Sequence, residues 1–173
     1  MDESGFSERP PVRRSWAPQG KTPVVTEHFN WKKLSAIATL IATPAGRRVR
    51  LTLRLLPGTV KSRQIPKYLA TVRWYLNGKR LILLWDQLTA HRSQLVQRYV
   101  AQQKAWLMTE FLPPYAPELN PTEYLWAYVS NTDMANYSAD YLGQIRRQVH
   151  KAAGRARSRQ DVGRGFLKHA GLF

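Results

Sequence analysis

The first half of the chain carries two apolar patterns that are typical of strands. Residues 34–43 (LSAIATLIAT) form an almost uninterrupted apolar run, and residues 47–56 alternate between apolar and mostly cationic side chains. An uninterrupted run of this length indicates a buried strand, whereas alternation indicates a strand with one exposed face. A turn at Pro44-Ala45-Gly46 separates the two segments. We therefore predict an antiparallel hairpin whose second strand has a cationic outer face.

Beyond this hairpin, helical and strand patterns alternate. Apolar residues recur every three or four positions over 62–76 and 91–103, which predicts two amphipathic helices. The short apolar runs 80–86 and 106–112 predict strands, and we expect the first of them to be buried on both faces. Strands that alternate with helices usually pair in parallel. The pattern therefore predicts a mixed α/β sheet with helices on its faces.

The two ends of the chain have a different character. Prolines and Gly5 predict an irregular segment over 1–15, and a short strand is predicted at Val24–Val25. After a proline-rich loop, a helix is predicted to begin at Pro121. The chain after Asn131 is predicted to be mostly helical and is very basic.

Composition narrows the function classes. The 173 residues include no cysteine, which excludes a disulfide scaffold, a thiol nucleophile and a cysteine-ligated zinc site. The 27 Lys and Arg outnumber the 11 Asp and Glu, for a net charge of +16. This excess is spread along the whole chain, which favours nucleic acid over a membrane surface as the partner. No segment approaches the length of a membrane span.

Two carboxylates occupy positions where chemistry is plausible. Asp86 directly follows an apolar strand, and active groups of open α/β sheets gather beyond such strand ends. A strand-end Asp can also simply hydrogen-bond the next turn. Glu123 would be the third residue of a helix with Asn120 as N-cap and Pro121 first, so it could be a capping-box acid or point into the sheet-end crevice. The local pattern leaves these alternatives open.

The remaining candidates are ambiguous on local grounds. Asp2 and Glu3 alone would be solvated charges near the terminus. His91 and Arg92 could be a capping or surface pair, or could lie near substrate phosphates. Clustered carboxylates repel one another, and Mg²⁺ prefers carboxylate oxygens while keeping positions for water and phosphate. A cluster of these acids is therefore expected to depend on metal, and two ions can promote phosphodiester cleavage.

Five motifs spread over nearly the whole chain carry a family resemblance. They are DESGF (2–6), WAPQGKTP (16–23), LLWDQLTAHRS (83–93), LPPYAPELNPTEYLW (112–126) and GFLKHAGLF (165–173). Together they resemble the DDE transposases of bacterial insertion sequences related to mariner elements. The fourth motif is the most specific of the five.

The resemblance implies a fold, a site and a reaction. It implies a ribonuclease-H-like α/β fold, with 1–130 as the DDE catalytic domain and 131–173 as a basic helical C-terminal part of the same domain. It implies that Asp2, Asp86 and Glu123 are catalytic and gather at the rim of the sheet to hold two Mg²⁺ or Mn²⁺ ions. In this family a metal-activated water nicks the transposon end, and the freed 3′-hydroxyl attacks target DNA.

The implied partners are the DNA of the transposon ends and of the target. Further implied partners are copies of the chain or an upstream-frame part of the transposase, and the implied location is the bacterial cytoplasm, at the nucleoid. Basic residues of the second hairpin strand and of the tail are expected to hold phosphates without reading base sequence. The residues predicted to contact DNA are His91, Arg92, Arg48, Arg50, Arg146 and Arg147.

Two positions depart from the family pattern. Gln87 stands where the family often has Asn, and Met1 directly precedes Asp2, where the family has a leading strand and DNA-binding domains. We therefore expect most of the first strand to be lacking and Asp2 to lie on a frayed terminus. The chain could be the downstream frame of a split transposase, a chain with a wrongly assigned start, or a decayed remnant.

Two other functions remain open beside a transposase catalytic domain. One is a non-catalytic basic DNA-binding remnant or a partial subunit of a split transposase. The other is a ribonuclease-H-like nuclease without strand transfer.

Overall fold

The strands in the second half of the chain alternate with helices as predicted, whereas the strands near the start of the chain differ from the prediction. The computed structural model describes residues 1–9, 11–25 and 32–173. The predicted strand at Val24–Val25 is wrong, since both residues lie in an irregular and exposed segment. The strands are Asp2–Ser7 (β1), Lys33–Ala42 (β2), Val49–Pro57 (β3), Leu81–Trp85 (β4) and Leu107–Phe111 (β5).

The predicted helices are confirmed, with later starts for the first two. The second helix begins at Gln94 and not at His91, because Ser93 is its N-cap and accepts a hydrogen bond from the backbone N–H of Val96. The helices are Gln64–Leu76 (α1), Gln94–Gln102 (α2), Pro121–Asn131 (α3), Leu142–Ser158 (α4) and Gln160–His169 (α5), with a 3₁₀ turn at Pro117–Leu119.

The strands form a three-stranded antiparallel part and a two-stranded parallel part, and no strand ladder joins the two parts in the described residues. β1, β2 and β3 pair antiparallel in that order, with Asp2 opposite Ala38 and Ala38 opposite Leu53. β4 and β5 pair in parallel. The two parts of the sheet meet where the amino group of Met1 donates a hydrogen bond to the carbonyl of Leu84 (2.8 Å). β1 therefore lies between β2 and β4.

The beginning of the chain is more ordered than its local sequence predicts. β1 pairs with β2 over its full length, from Asp2 to Ser7. Asp2 is buried, so the expectation that it lies on a frayed terminus is wrong. The predicted irregular structure over 1–15 is wrong for this part, because pairing with a ten-residue strand outweighs the local effect of Gly5.

Beside the start of β1, the sheet leaves a gap. β2 extends past its pairing with β1 to Ala42, and β4 begins on the other side at Leu81. A cavity of about 830 Å³ lies here, lined in part by Ile41, Ala42, Leu81 and Ile82.

Helices cover the sheet on both faces and form two apolar clusters. α1 and α2 pack on one face around Ile37, Leu69 and Trp85. α3, α4 and α5 pack on the other face around Leu51 and Ile145. The chain after Asn131 is thus part of the same packed layers as the sheet. No described helix is long and apolar enough to cross a membrane.

Two expectations about strand faces are wrong. β4 is buried on one face only: Leu83 and Trp85 lie under α1 and α2, but Ile82 is 65% exposed because no described helix covers it. On β3, Arg50 and Arg54 are exposed as expected, whereas Thr52 is buried.

The burial of Thr52 has a specific cause. Its hydroxyl lies 2.7 Å from the hydroxyl of Tyr68 on α1, which also donates to the hydroxyl of Thr39 at 3.0 Å. These buried polar groups satisfy one another, so the sheet can carry them beneath a helix without a desolvation penalty.

Candidate active site

Three carboxylates from three separate elements are linked by the effects of their charges on pKa values. Asp2 begins β1, Asp86 directly follows β4, and Glu123 lies in the first turn of α3. Burial raises the pKa of Asp2, and the charge of Glu123 raises it further. Burial also raises the pKa of Glu123, as does the charge of Asp86. The charge of Glu123 thus acts on Asp2 and the charge of Asp86 acts on Glu123, while the three acids do not form a group that could hold a metal ion in the described residues.

Asp2 is held rigidly from two sides. Its Oδ1 accepts a hydrogen bond from the backbone N–H of Glu3 (2.8 Å), and its Oδ2 accepts one from the indole N–H of Trp126 on α3 (3.0 Å). Burial and Glu123 together raise the pKa of Asp2 to about 6, although the N–H of Glu3 opposes this effect. A carboxylate in this state is readily stabilised by a nearby cation.

Asp86 hydrogen-bonds the turn that follows β4, as one interpretation of the sequence predicted, and its side chain also remains partly exposed. Its Oδ1 accepts a hydrogen bond from the N–H of Leu88 (3.1 Å), which is the turn-capping alternative, and lies 2.7 Å from Nδ1 of His91. Burial raises the pKa of Asp86, but the hydrogen bonds from His91 and Leu88 outweigh burial and lower it. The side chain is 38% exposed, so it faces solvent at the rim of the sheet.

The helix start that carries Glu123 forms as predicted. Asn120 is the N-cap and accepts a hydrogen bond from the N–H of Thr122 (3.1 Å), and Pro121 takes the first helical position. The capping-box alternative for Glu123 is not realised. The N–H of Asn120, which such a residue would have to reach, donates instead to the carbonyl of Pro117 (3.0 Å). Glu123 is exposed and projects from the helix start.

His91 does not lie where the sequence analysis expected it. It is fully buried, so the structure does not support its predicted contact with DNA phosphates. Nε2 lies 3.0 Å from Oε1 of Glu3, and the ring stacks on Trp85. Burial alone lowers the pKa of His91, but its hydrogen bonds to Asp86 and Glu3 outweigh burial and raise the pKa to about 9.

Sequence reasoning missed two partners of the site. Glu3 was expected to be a solvated charge, because the strand that directs it inward was not predicted. Trp126 follows Glu123 by three positions, which places the two on neighbouring parts of one helix face. From this spacing, a position of Trp126 close to the site could have been predicted.

The residues predicted to bind DNA lie in three separate places. Arg92 borders a depression next to the Asp86 turn, together with Lys61 and Ser93. Arg48 and Arg50 line the 830 Å³ cavity beside the start of β4, away from Asp86. Three further basic residues border this cavity: Lys79, Arg80 and Lys104. The other two residues predicted to bind DNA, Arg146 and Arg147, are exposed on α4.

The donor set fits a hard divalent cation in chemistry. Asp2, Asp86 and Glu123 supply carboxylate oxygens, which Mg²⁺ and Mn²⁺ prefer, and their mutual repulsion would be relieved by a cation. In residues 1–9, 11–25 and 32–173 no group of three acidic or histidine side chains is already arranged around a single metal position. Asp86 faces His91 and Asp2 faces Trp126 in this arrangement.

Solved structures that this chain resembles in fold include those of the Mos1 mariner transposase. The Mos1 paired-end complex with Mn matches with a TM-score of 0.71 at 19% identity, covering 98% of this chain and 51% of that one. The Mos1 strand transfer complex matches with a TM-score of 0.64 at 19% identity, covering 98% and 50%. The chain thus spans about half the length of these proteins.

The match to the isolated catalytic domain covers more of that protein. The Mos1 transposase catalytic domain with raltegravir and Mg matches with a TM-score of 0.60 at 21% identity, covering 83% of this chain and 73% of that one. The expected ribonuclease-H-like fold is therefore confirmed.

A family model matches over most of the chain. No curated protein matches this chain. The model of the DDE superfamily endonucleases matches residues 1–146, a span that contains Asp2, Asp86 and Glu123. This chain belongs to the DDE superfamily endonuclease family.

Proposed function

We propose that this chain is the catalytic domain of a transposase that cleaves DNA at transposon ends and joins the ends to target DNA. The observation that supports the proposal is that the charge of Glu123, at the start of α3, raises the pKa of Asp2 in β1, and the charge of Asp86, after β4, raises the pKa of Glu123. The family and the shared fold support the same reaction class.

In this proposal the three carboxylates hold two Mg²⁺ or Mn²⁺ ions. Such ions lower the pKa of a water and stabilise the leaving oxygen of a phosphodiester. Asp2 contributes an anchored carboxylate, because Trp126 and the N–H of Glu3 hold both of its oxygens. Asp86 and Glu123 contribute more exposed carboxylates, which can adjust to the DNA backbone.

The basic surface would hold the DNA. Arg92 and Lys61 border the depression beside the Asp86 turn, where a phosphate next to the scissile bond would lie. Arg146 and Arg147 would bind phosphates farther along the backbone without reading base sequence. Transposon ends and target DNA would be the partners, with a further copy or part of the transposase, at the bacterial nucleoid in the cytoplasm.

A nicking assay tests the proposal. Supercoiled plasmid would be incubated with the chain and Mn²⁺, and both nicked and strand-joined products would be quantified. Asp86→Asn and Glu123→Gln are expected to lose product formation by at least about 100-fold, the scale on which one charge-stabilising group acts. Glu110→Gln is the matched control, because Glu110 is an exposed acid on β5 outside the site.

The competing functions give different products. Nicked DNA without any joined strands would indicate a nuclease without strand transfer. Salt-sensitive DNA binding that is unaffected by chelator and by Asp86→Asn, without any cleavage, would indicate a non-catalytic DNA-binding chain. Equal nicking by the wild type and Asp86→Asn would remove this site as the cause of cleavage.

A further inference from the structure

We propose that Glu3 and His91 act as a pair that positions the carboxylate of Asp86 for metal binding, an inference that rests on the function proposed above. Nδ1 of His91 lies 2.7 Å from Oδ1 of Asp86, and Nε2 lies 3.0 Å from Oε1 of Glu3. The ring therefore connects β1 to the turn that follows β4. Both residues act through Asp86 and touch neither metal nor DNA.

The ring of His91 is held in one orientation. It is fully buried, and it stacks on Trp85 with ring centroids 4.7 Å apart and an angle of 15° between the planes. Its backbone N–H donates to the carbonyl of Leu88, and its carbonyl accepts from the side-chain amide of Gln97, both at 2.9 Å. A ring fixed in this way directs Nδ1 at Asp86.

Nε2 faces a carboxylate oxygen of Glu3, and Nδ1 faces both Oδ1 of Asp86 at 2.7 Å and the backbone carbonyl of Asp86 at 3.2 Å. An ionised carboxylate only accepts hydrogen bonds, so both ring nitrogens donate. The bond from Nε2 to Glu3 holds the ring plane, and the bond from Nδ1 is thereby aimed at Oδ1 of Asp86. Removal of Glu3 would leave the ring stacked on Trp85 and free of its second anchor.

Glu3 faces the ring because of strand geometry. Successive side chains of a strand point to opposite faces, so Asp2 faces Trp126 on α3 whereas Glu3 faces His91. The side chain of Glu3 is 12% exposed, and its Oε2 is buried without a hydrogen-bond partner in the described residues. Burial of such a group is costly unless a cation compensates, and His91 is the cation in direct contact.

The two carboxylate oxygens of Asp86 therefore have different surroundings. Oδ1 accepts a hydrogen bond from the N–H of Leu88 and lies 2.7 Å from Nδ1 of His91, which also faces the backbone carbonyl of Asp86. Oδ2 accepts no hydrogen bond from the part of the chain that the structure describes, so it is available to a metal ion. Groups that hold a metal ligand in place typically contribute about 10–100-fold to metal affinity.

Mn²⁺ binding to the purified chain tests the proposal without relying on catalysis. Free Mn²⁺ would be titrated by electron paramagnetic resonance at pH 7 in the absence of DNA. Glu3→Ala and His91→Ala retain all three metal-binding carboxylates and are expected to weaken Mn²⁺ binding by about 10–100-fold. Glu3→Gln keeps an oxygen acceptor for the ring and is expected to stay close to the wild type.

The double variant separates positioning from direct binding. If Glu3 acts only through the ring, Glu3→Ala has no further effect in a His91→Ala background. An additional loss there would overturn the proposal, because Glu3 would then contribute by itself. Unchanged Mn²⁺ affinity in Glu3→Ala, together with a strong loss in Asp86→Asn, would also overturn it.

A control and a second measurement guard against a purely structural effect. Tyr68→Phe removes a buried hydrogen bond between α1 and the sheet and is expected to leave Mn²⁺ affinity unchanged; weakening equal to that of Glu3→Ala would overturn the proposal. If the wild type binds no Mn²⁺, the proposed function fails. In that case ¹⁵N NMR of the His91 ring in the metal-free chain tests whether Glu3 and Asp86 both contact the ring. Asp86→Asn and Glu3→Ala are each expected to shift the Nδ1 resonance of His91, and no response to Glu3→Ala would overturn the pairing.

Discussion

Trp126 donates its indole N–H to Oδ2 of Asp2 across 3.0 Å in the buried interior. This bond joins α3 to the first residue of β1. Glu123 lies one turn earlier on the same helix, so the docking of α3 sets the position of two of the three site carboxylates. The spacing between Asp2 and Glu123 therefore depends on how firmly this helix is attached to the sheet.

Replacement of the indole donor is expected to loosen this attachment. Trp126→Phe keeps an aromatic ring against Phe6 but leaves Oδ2 of the buried Asp2 without its hydrogen-bond donor. We expect the free energy of unfolding, measured with urea, to fall by about 1–3 kcal/mol. The control is Trp74→Phe at a 79% exposed position on α1. Equal small losses in both variants would contradict the structural role of the bond.

The contribution of His91 to the stability of the metal-free chain is expected to fall as pH rises from about 6.5 to about 9. The folded-state pKa of His91 is raised to about 9 from 6.5, so the folded chain binds this proton more tightly than the unfolded chain. The stabilisation is fully present below the unfolded pKa and is lost as pH passes the folded pKa. Urea unfolding at several pH values in a chelator measures it.

Variants identify the groups behind the pH dependence. His91→Gln is expected to remove the decline between pH 6.5 and 9, whereas His150→Gln, at an exposed position with a lowered pKa, should leave it intact. Asp2 has its pKa raised to about 6, so it adds a decline at lower pH that Asp2→Asn removes. A decline between pH 6.5 and 9 that is no steeper in the wild type than in His91→Gln would contradict this role of His91, because the buried amino group of Met1, with a pKa lowered by burial, acts in the opposite direction in both chains.

Two glycines of α5 offer a matched test of how closely this helix packs on β3. A Cβ at Gly163 would lie 3.1 Å from the Cβ and Cγ1 of Val49, whereas a Cβ at Gly165 meets nothing within 4 Å. Gly163→Ala is expected to cost about 1–3 kcal/mol through overpacking, and Gly165→Ala to stabilise by up to about 1 kcal/mol. Thermal unfolding of both variants would reveal the opposite signs. Stabilisation by both would show that α5 can move away from β3.

The salt dependence of DNA binding tests the basic face of α4. Arg146→Gln is expected to reduce the slope of log affinity against log salt by about 1 if this residue neutralises a phosphate. Fluorescence anisotropy with a labelled duplex at several salt concentrations gives the slope. Arg159→Gln is the control, because Arg159 is already paired with Asp161 at 2.7 Å. An equal change of slope in both variants would argue against a specific DNA path along α4.

Local patterns predicted most elements correctly where burial imposes a period. The hairpin of β2 and β3, the alternation from α1 to β5 and the start of α3 all follow from apolar spacing and from Asn120 and Pro121. β1 escaped prediction because Gly5 and the polar residues around it lack such spacing. The exposure of Ile82 also escaped prediction, since an apolar run does not reveal which face a helix covers.

The sequence by itself determined the charge and the order of the main elements and, through family motifs, led to the prediction that Asp2, Asp86 and Glu123 form the site. Only the tertiary structure decided that His91 lies buried between Glu3 and Asp86, and that Trp126 anchors Asp2. These contacts join residues 88 and 124 positions apart in the chain. Local spacing encodes which face of one element is apolar, whereas the packing of separate elements decides which side chains meet.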